Sequence, residues 1–233
     1  MTISENVAYV KSQIREAAIA AGRNPEEILL CAATKMNDAD AVREAIAAGV
    51  DCCGENRVQE LTAKLAQGAY TGAPVHFIGH LQTNKVRQVV GQVDLIQSVD
   101  SLRLLVAIQK EAEKQNILQD ILLEINIANE ENKTGFDISE IYGILEKASD
   151  FPNIRIKGFM AIPPICHFPG ENRKFFQKIY QLTVDITTKK YDNISVDILS
   201  MGMSGDFQDA IACGSTMIRV GTAIFGARDY SKK

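Results

Sequence analysis

With 233 residues, 46% of them apolar, and a net charge of −4, the sequence supplies a sizeable core and presents no broad basic face. Nucleic acid and anionic membrane surfaces are thereby excluded as partners. The five cysteines are odd in number and show no CxxC spacing, so reduced, buried thiols in a cytoplasmic protein are expected, with neither a disulfide framework nor a metal site. The N-terminal stretch MTISENVAYVKSQIREAA carries charges throughout and lacks the apolar centre of a signal peptide. No run approaches the length needed to span a bilayer.

In chain order, a first helix is expected over Ser4 to Ala21, with Ser4 as N-cap and Gly22 as the stop. Short apolar, β-branched runs follow at Ile28–Thr34, Val50–Cys53, Val75–Ile78, Leu95–Gln97, Ile121–Ile127, Ile154–Met160, Val196–Ser200 and Thr216–Val220. Between them lie helical patterns at Ala39–Ala48, Arg57–Ala66, Lys85–Gly91, Ser101–Gln115, Ile138–Ser149, Glu171–Thr187 and Gln208–Ala212. The strand runs are continuously apolar rather than alternating, as in a parallel sheet covered on both faces. Repeated βα units over this length suit one closed (β/α)8 barrel with an extra N-terminal helix, a fold of about 250 residues. An open doubly wound sheet is the competing arrangement. No linker or composition break divides residues 1–233, so a single domain is expected.

In such a barrel, functional groups sit in loops at the C-terminal ends of the strands. The first strand ends in Thr34-Lys35, where partial desolvation would disfavour the charged amine and allow it to form a Schiff base with a carbonyl ligand. The second strand leads into Gly54-Glu55-Asn56-Arg57, the third into Gly79-His80-Leu81-Gln82, and the fourth into Ser98-Val99-Asp100-Ser101. After the seventh and eighth strands come loops with Gly202, Ser204, Gly205, Gly221 and Thr222, the two positions where barrels often hold phosphate. Arg219 ends the eighth strand and would point into the mouth. A lysine, a phosphate site and a cationic partner for a pyridine nitrogen together match what pyridoxal phosphate needs. An arginine keeps its own proton, leaving the ring nitrogen unprotonated and the ring a weaker electron sink.

These residues, with the blocks His76 to Lys85, Lys133-Thr134-Gly135, Gly158 to Pro164, Leu199 to Ser204 and Arg219 to Gly226, resemble the pyridoxal phosphate homeostasis protein family. Its members are single-domain relatives of the alanine racemase N-terminal barrel, of the fold-type III class that binds pyridoxal 5'-phosphate. The resemblance implies that Lys35 carries the internal aldimine, Arg219 faces the ring nitrogen, and Ser204, Gly221 and Thr222 hold the phosphate. It places Asn56 near the cofactor and Met201 beside it. Where the family often has Thr or Tyr, a variable residue and Pro after the lysine, this chain has Met36-Asn37-Asp38, which removes the stiffness of that proline. His80 reads as a loop hydrogen-bonding residue and Lys133 as a solvated loop lysine.

The function implied is a non-catalytic carrier that holds pyridoxal phosphate on Lys35 and releases it to apo-enzymes. The alternative is a racemase of the alanine racemase type. Racemases of this fold add a C-terminal β domain that supplies a second base, since racemisation needs acid–base groups on both faces of a carbanion. The present sequence stops at Lys233, shortly after the eighth strand, which favours the carrier and a monomer.

Overall fold

The computed structural model describes residues 1–128, 134–189, 191 and 194–226. Lys133 and the end of the sequence lie outside the described residues. The first helix, α1 (Ile3–Ala20), is capped by Thr2 rather than Ser4. Thr2 Oγ1 accepts from the Glu5 N–H and the Glu5 carboxylate accepts from the Thr2 N–H, a reciprocal box that satisfies two otherwise orphaned donors. The chain then leaves the helix through Gly22 at φ 68°.

Eight strands follow: β1 (Leu29–Ala33), β2 (Cys52–Glu55), β3 (Val75–Phe77), β4 (Leu95–Val99), β5 (Gln119–Ile125), β6 (Ile154–Ala161), β7 (Ile194–Ser200) and β8 (Met217–Val220). Each pairs in parallel with the next, and β8 closes on β1 with Leu29 opposite Met217 and Cys31 opposite Arg219. Closure decides between the two architectures that the sequence left open. Among the described residues the outer layer comprises α2 (Ala39–Ala47), α3 (Val58–Ala66), α4 (Leu102–Gln115), α5 (Ile138–Glu146), α6 (Arg173–Thr187), α7 (Phe207–Ala212) and α8 (Thr222–Phe225). The stretch expected as a helix at Lys85–Gly91 is instead a 3-10 turn at Thr83–Gln88, and α8 falls below the length at which a helical period can be read.

Alternation along the strands divides the apolar residues into two layers. Leu30, Ala32, Cys53, Phe77, Ile96, Ile218 and Val220 face outward into one large cluster shared with the helices. Cys31, Cys52 and Met217 face inward with Ile198, and Leu95, Leu122 and Met160 form a second inward cluster. The α1 helix packs on α2, α7 and α8. Asn6 Nδ2 donates to the Ile224 carbonyl at 2.8 Å, and Arg23 Nη1 donates to the Ser215 carbonyl at 2.6 Å. These bonds tie the extra helix and the turn after it to α8 and to the loop that leads into β8. No described helix is long and apolar enough to cross a membrane.

Candidate functional site

Strand order alone assembles most of the expected site. The strands β7, β8, β1 and β2 are consecutive around the barrel. Their C-terminal ends deliver, side by side, Met201 with Ser204, Gly221 with Thr222, Lys35, and Asn56. Arg219 N–H donates to the Gly202 carbonyl at 3.0 Å, which joins the loop after β7 to β8. On the other flank, Gly221 is close enough to Ala33 that an added Cβ would touch the alanine methyl at 3.4 Å.

Lys35 is half-buried, two residues beyond β1. The turn after it holds its shape without proline. Met36 adopts φ 62°, unusual for a side chain with a Cβ, and its N–H donates to Glu60 Oε2 at 2.7 Å. Asn37 Nδ2 donates back to the Lys35 carbonyl at 3.0 Å, and Asp38 caps α2 through the Ala41 N–H.

Beneath this turn lies a buried polar cluster that the sequence did not reveal. Gly54 and Glu55 belong to β2 rather than to the loop after it, because the strand continues beyond its apolar run. Glu55 is fully buried; its Oε2 accepts from Lys64 Nζ at 2.7 Å, Thr34 Oγ1 at 3.0 Å and Tyr70 O–H at 3.2 Å. Its Oε1 accepts from the Asn56 N–H at 2.9 Å. The spacing from Glu60 to Lys64, one helical turn, was a weak signal for part of this network. Burial and the adjoining carboxylate push the Tyr70 hydroxyl far above the usual phenol range, so it stays a donor.

Asn56 is half-buried and its Oδ1 finds no hydrogen-bond partner among the described residues. Gly79 packs directly against its backbone: any Cβ there would collide with the Asn56 carbonyl oxygen. Met201 is fully buried, whereas Ser204 and Thr222 are exposed. His80 is exposed and its Nδ1 lies 2.8 Å from Asp100 Oδ2, a bond between neighbouring loops.

Arg219 points inward and is only 5% exposed. Its Nη1 donates to both the carbonyl and the hydroxyl of Ser200 at 2.6 Å, and its Nη2 donates to the Ala161 carbonyl at 3.0 Å. Among the described residues these partners are all neutral oxygens. Burial lowers the guanidinium pKa, with Cys31, Glu124 and Asp206 opposing that shift from nearby. Three of the five N–H donors are thus used, leaving two for a ligand acceptor. The polar line continues inward: Ser200 Oγ donates to Gln97 Oε1 at 2.6 Å, and Gln97 Nε2 lies 2.9 Å from His76 Nδ1.

The residues present fit a small aldehyde that carries a phosphate and a ring nitrogen. The site offers an amine, an unpartnered amide oxygen, unused guanidinium donors and two glycine-bearing loops. Comparisons with known proteins point the same way. The family model for the alanine racemase N-terminal domain matches residues 6–229. The pyridoxal phosphate homeostasis proteins of Escherichia coli K12 and Aquifex aeolicus are 40% and 39% identical, covering 99% of this chain and 99% and 100% of theirs. Among solved structures, PipY of Synechococcus elongatus with pyridoxal phosphate bound superposes with a TM-score of 0.84 at 32% identity, covering 97% of this chain and all of that one. A Bifidobacterium adolescentis protein of unknown function reaches a TM-score of 0.88 at 37% identity over 96% of this chain and 94% of its own. Alanine racemase from Clostridium difficile shares the fold at 14% identity and a TM-score of 0.71, covering 96% of this chain and 57% of the racemase.

Proposed function

This chain belongs to the pyridoxal phosphate homeostasis protein family, and from that membership we propose that it binds pyridoxal 5'-phosphate and buffers its supply rather than turning over a substrate. The observation that supports the reading is that β1, which ends just before Lys35, and β8, which carries Arg219, are paired neighbours in a closed barrel. When bound, the cofactor supplies an electrophilic aldehyde and a ring that withdraws electrons.

The protein's part is to hold the cofactor. Lys35 offers the amine for covalent attachment, on a turn fixed by Glu60 and Asn37. The loops with Ser204, Gly221 and Thr222 take the phosphate, where backbone N–H groups and hydroxyls can donate. Asn56 gives its open Oδ1 to the ligand, and Met201 packs beside it. Arg219 directs its remaining donors at the ring nitrogen. Because a guanidinium does not give up its proton, that nitrogen stays an acceptor and electron withdrawal stays weak. Weak withdrawal suits a carrier, since it restrains carbanion formation on a bound amino acid. In the same reading the chain works as a cytoplasmic monomer and passes its cargo to apo-enzymes.

Borohydride treatment of the pyridoxal phosphate-loaded protein, followed by peptide mapping, tests the assignment. The label is expected on Lys35, and Lys35→Ala is expected to be colourless and unlabelled. Label on another lysine, or full visible absorbance in the variant, would overturn it. A sensitive racemisation screen across the standard amino acids tests the carrier role, with no turnover expected above free cofactor.

A further inference from the structure

Deeper in the barrel, three adjacent strands bring together groups that the sequence keeps well apart. Cys31 lies on β1, Cys52 on β2 and His76 on β3. The two sulfur atoms and a ring nitrogen of His76 all lie within 4.8 Å of one another. The cluster is closed off from water: Cys31 is 0% exposed, Cys52 3% and His76 7%. We propose that Cys31, Cys52 and His76 form a three-coordinate site for a soft monovalent cation, Cu(I), inside the barrel.

Backbone geometry sets the donors in place. Cys31 and Cys52 are direct partners in the β1–β2 ladder, and both face inward. Gly54 leaves the room that the Cys31 sulfur occupies, since a Cβ there would come to 2.8 Å of it. His76 pairs with Gly54 in the next ladder. Gln97 holds the imidazole through Nδ1, the kind of outer contact that orients a histidine ligand. A half-turn of the Gln97 amide lets the ring carry its proton on Nδ1 and leaves the other ring nitrogen with its lone pair.

Donor chemistry and charge select the ion. Two thiols and an imidazole, with the Met217 thioether in the same interior cluster, are soft ligands, and no carboxylate joins them among the described residues. Such a set favours Cu(I) over hard divalent ions, and three donors fall short of the four that zinc takes in closed sites. Cu(I) with two thiolates carries a net charge of −1. Arg219, the lateral partner of Cys31 across β1–β8, is buried among neutral oxygens and would balance that charge. A divalent ion would leave the guanidinium uncompensated.

Binding joins Cu(I) to the two sulfurs and to His76 and releases the thiol protons, with no change of oxidation state.

The test is anaerobic titration of the full chain with Cu(I) against a bicinchoninate competitor, with the protein also refolded from urea in its presence. The expected result is about one tightly held equivalent and a near-ultraviolet thiolate-to-copper band. Cys52→Ser and His76→Gln should each abolish the tight equivalent, while Cys53→Ser and Cys213→Ser retain it. Circular dichroism of each variant checks its fold. The wild-type titration stands alone if a variant fails to fold. Complete loss of copper to the competitor, an undiminished equivalent in folded Cys52→Ser, or displacement by equimolar Zn(II) would each overturn the proposal.

Discussion

Lys64 Nζ lies 2.7 Å from Glu55 Oε2, with the two side chains 7% and 0% exposed, and donates a second bond of 2.8 Å to the Thr34 carbonyl. One buried ion pair therefore grips the residue immediately before Lys35. Breaking such a pair leaves an uncompensated charge in a low-dielectric interior, which costs more than the pair itself contributes.

Lys64→Met should accordingly destabilise the protein by about 3–5 kcal/mol in urea unfolding, and the double variant Glu55→Gln, Lys64→Met should recover much of that loss. Cofactor retention should fall in the single variant because the Thr34-Lys35 segment loses its anchor. A single-variant loss below about 1 kcal/mol would show that the pair does not hold the strand end.

Gly79→Ala should lower stability by roughly 1–3 kcal/mol or more, since the new methyl has to displace the Asn56 backbone. The variant should also retain less pyridoxal phosphate, measured as visible absorbance after desalting. Wild-type retention would mean that Asn56 contributes nothing to the ligand.

At Arg219, lysine keeps the charge but not the fork. It cannot reach Ser200, Ala161 and a ring nitrogen together. Arg219→Lys should hold the cofactor roughly 10- to 100-fold more weakly, with a shifted absorption maximum, the scale of a lost charge-assisted hydrogen bond. Equilibrium dialysis against free cofactor measures it, and an unchanged constant would remove Arg219 from the site.

Burial raises the Glu124 pKa, opposed by a hydrogen bond from Thr134 and reinforced by Asp100. A carboxyl with a raised folded-state pKa favours folding fully at pH values below its unfolded pKa, and that contribution is lost as pH rises through the folded value. Glu124→Gln should therefore be more stable than wild type at pH 7–8, and the gap should close near pH 4. Urea midpoints at pH 4, 6 and 8 decide the matter; a constant offset across the three would contradict it.

The sequence carried most of the scaffold because most strands contain a short apolar run and the longer helices repeat an apolar face. Boundaries slipped where polarity and secondary structure part company. Gly54 and Glu55 looked like loop residues and lie in β2, because a buried carboxylate can sit in a strand when Lys64, Thr34 and Tyr70 surround it. Lys35, Arg219 and the glycine loops were legible as chemistry at strand ends. Of the cysteines read as small buried hydrophobes, Cys166 is only partly buried.

What the amino-acid order determined by itself was local: where most strands and helices form, and that a lysine follows the first strand. Those features depend on spacings of two to four residues, which a sequence displays directly. Closure belonged to the tertiary structure. Pairing β8 with β1 set Arg219 beside Cys31 and brought Gly221 against Ala33 at the end of β1. The ladders joining β1, β2 and β3 brought Cys31, Cys52 and His76 within 4.8 Å of one another. Contacts between residues far apart in the chain arise only when the sheet's curvature and register are fixed, so no local pattern could announce them.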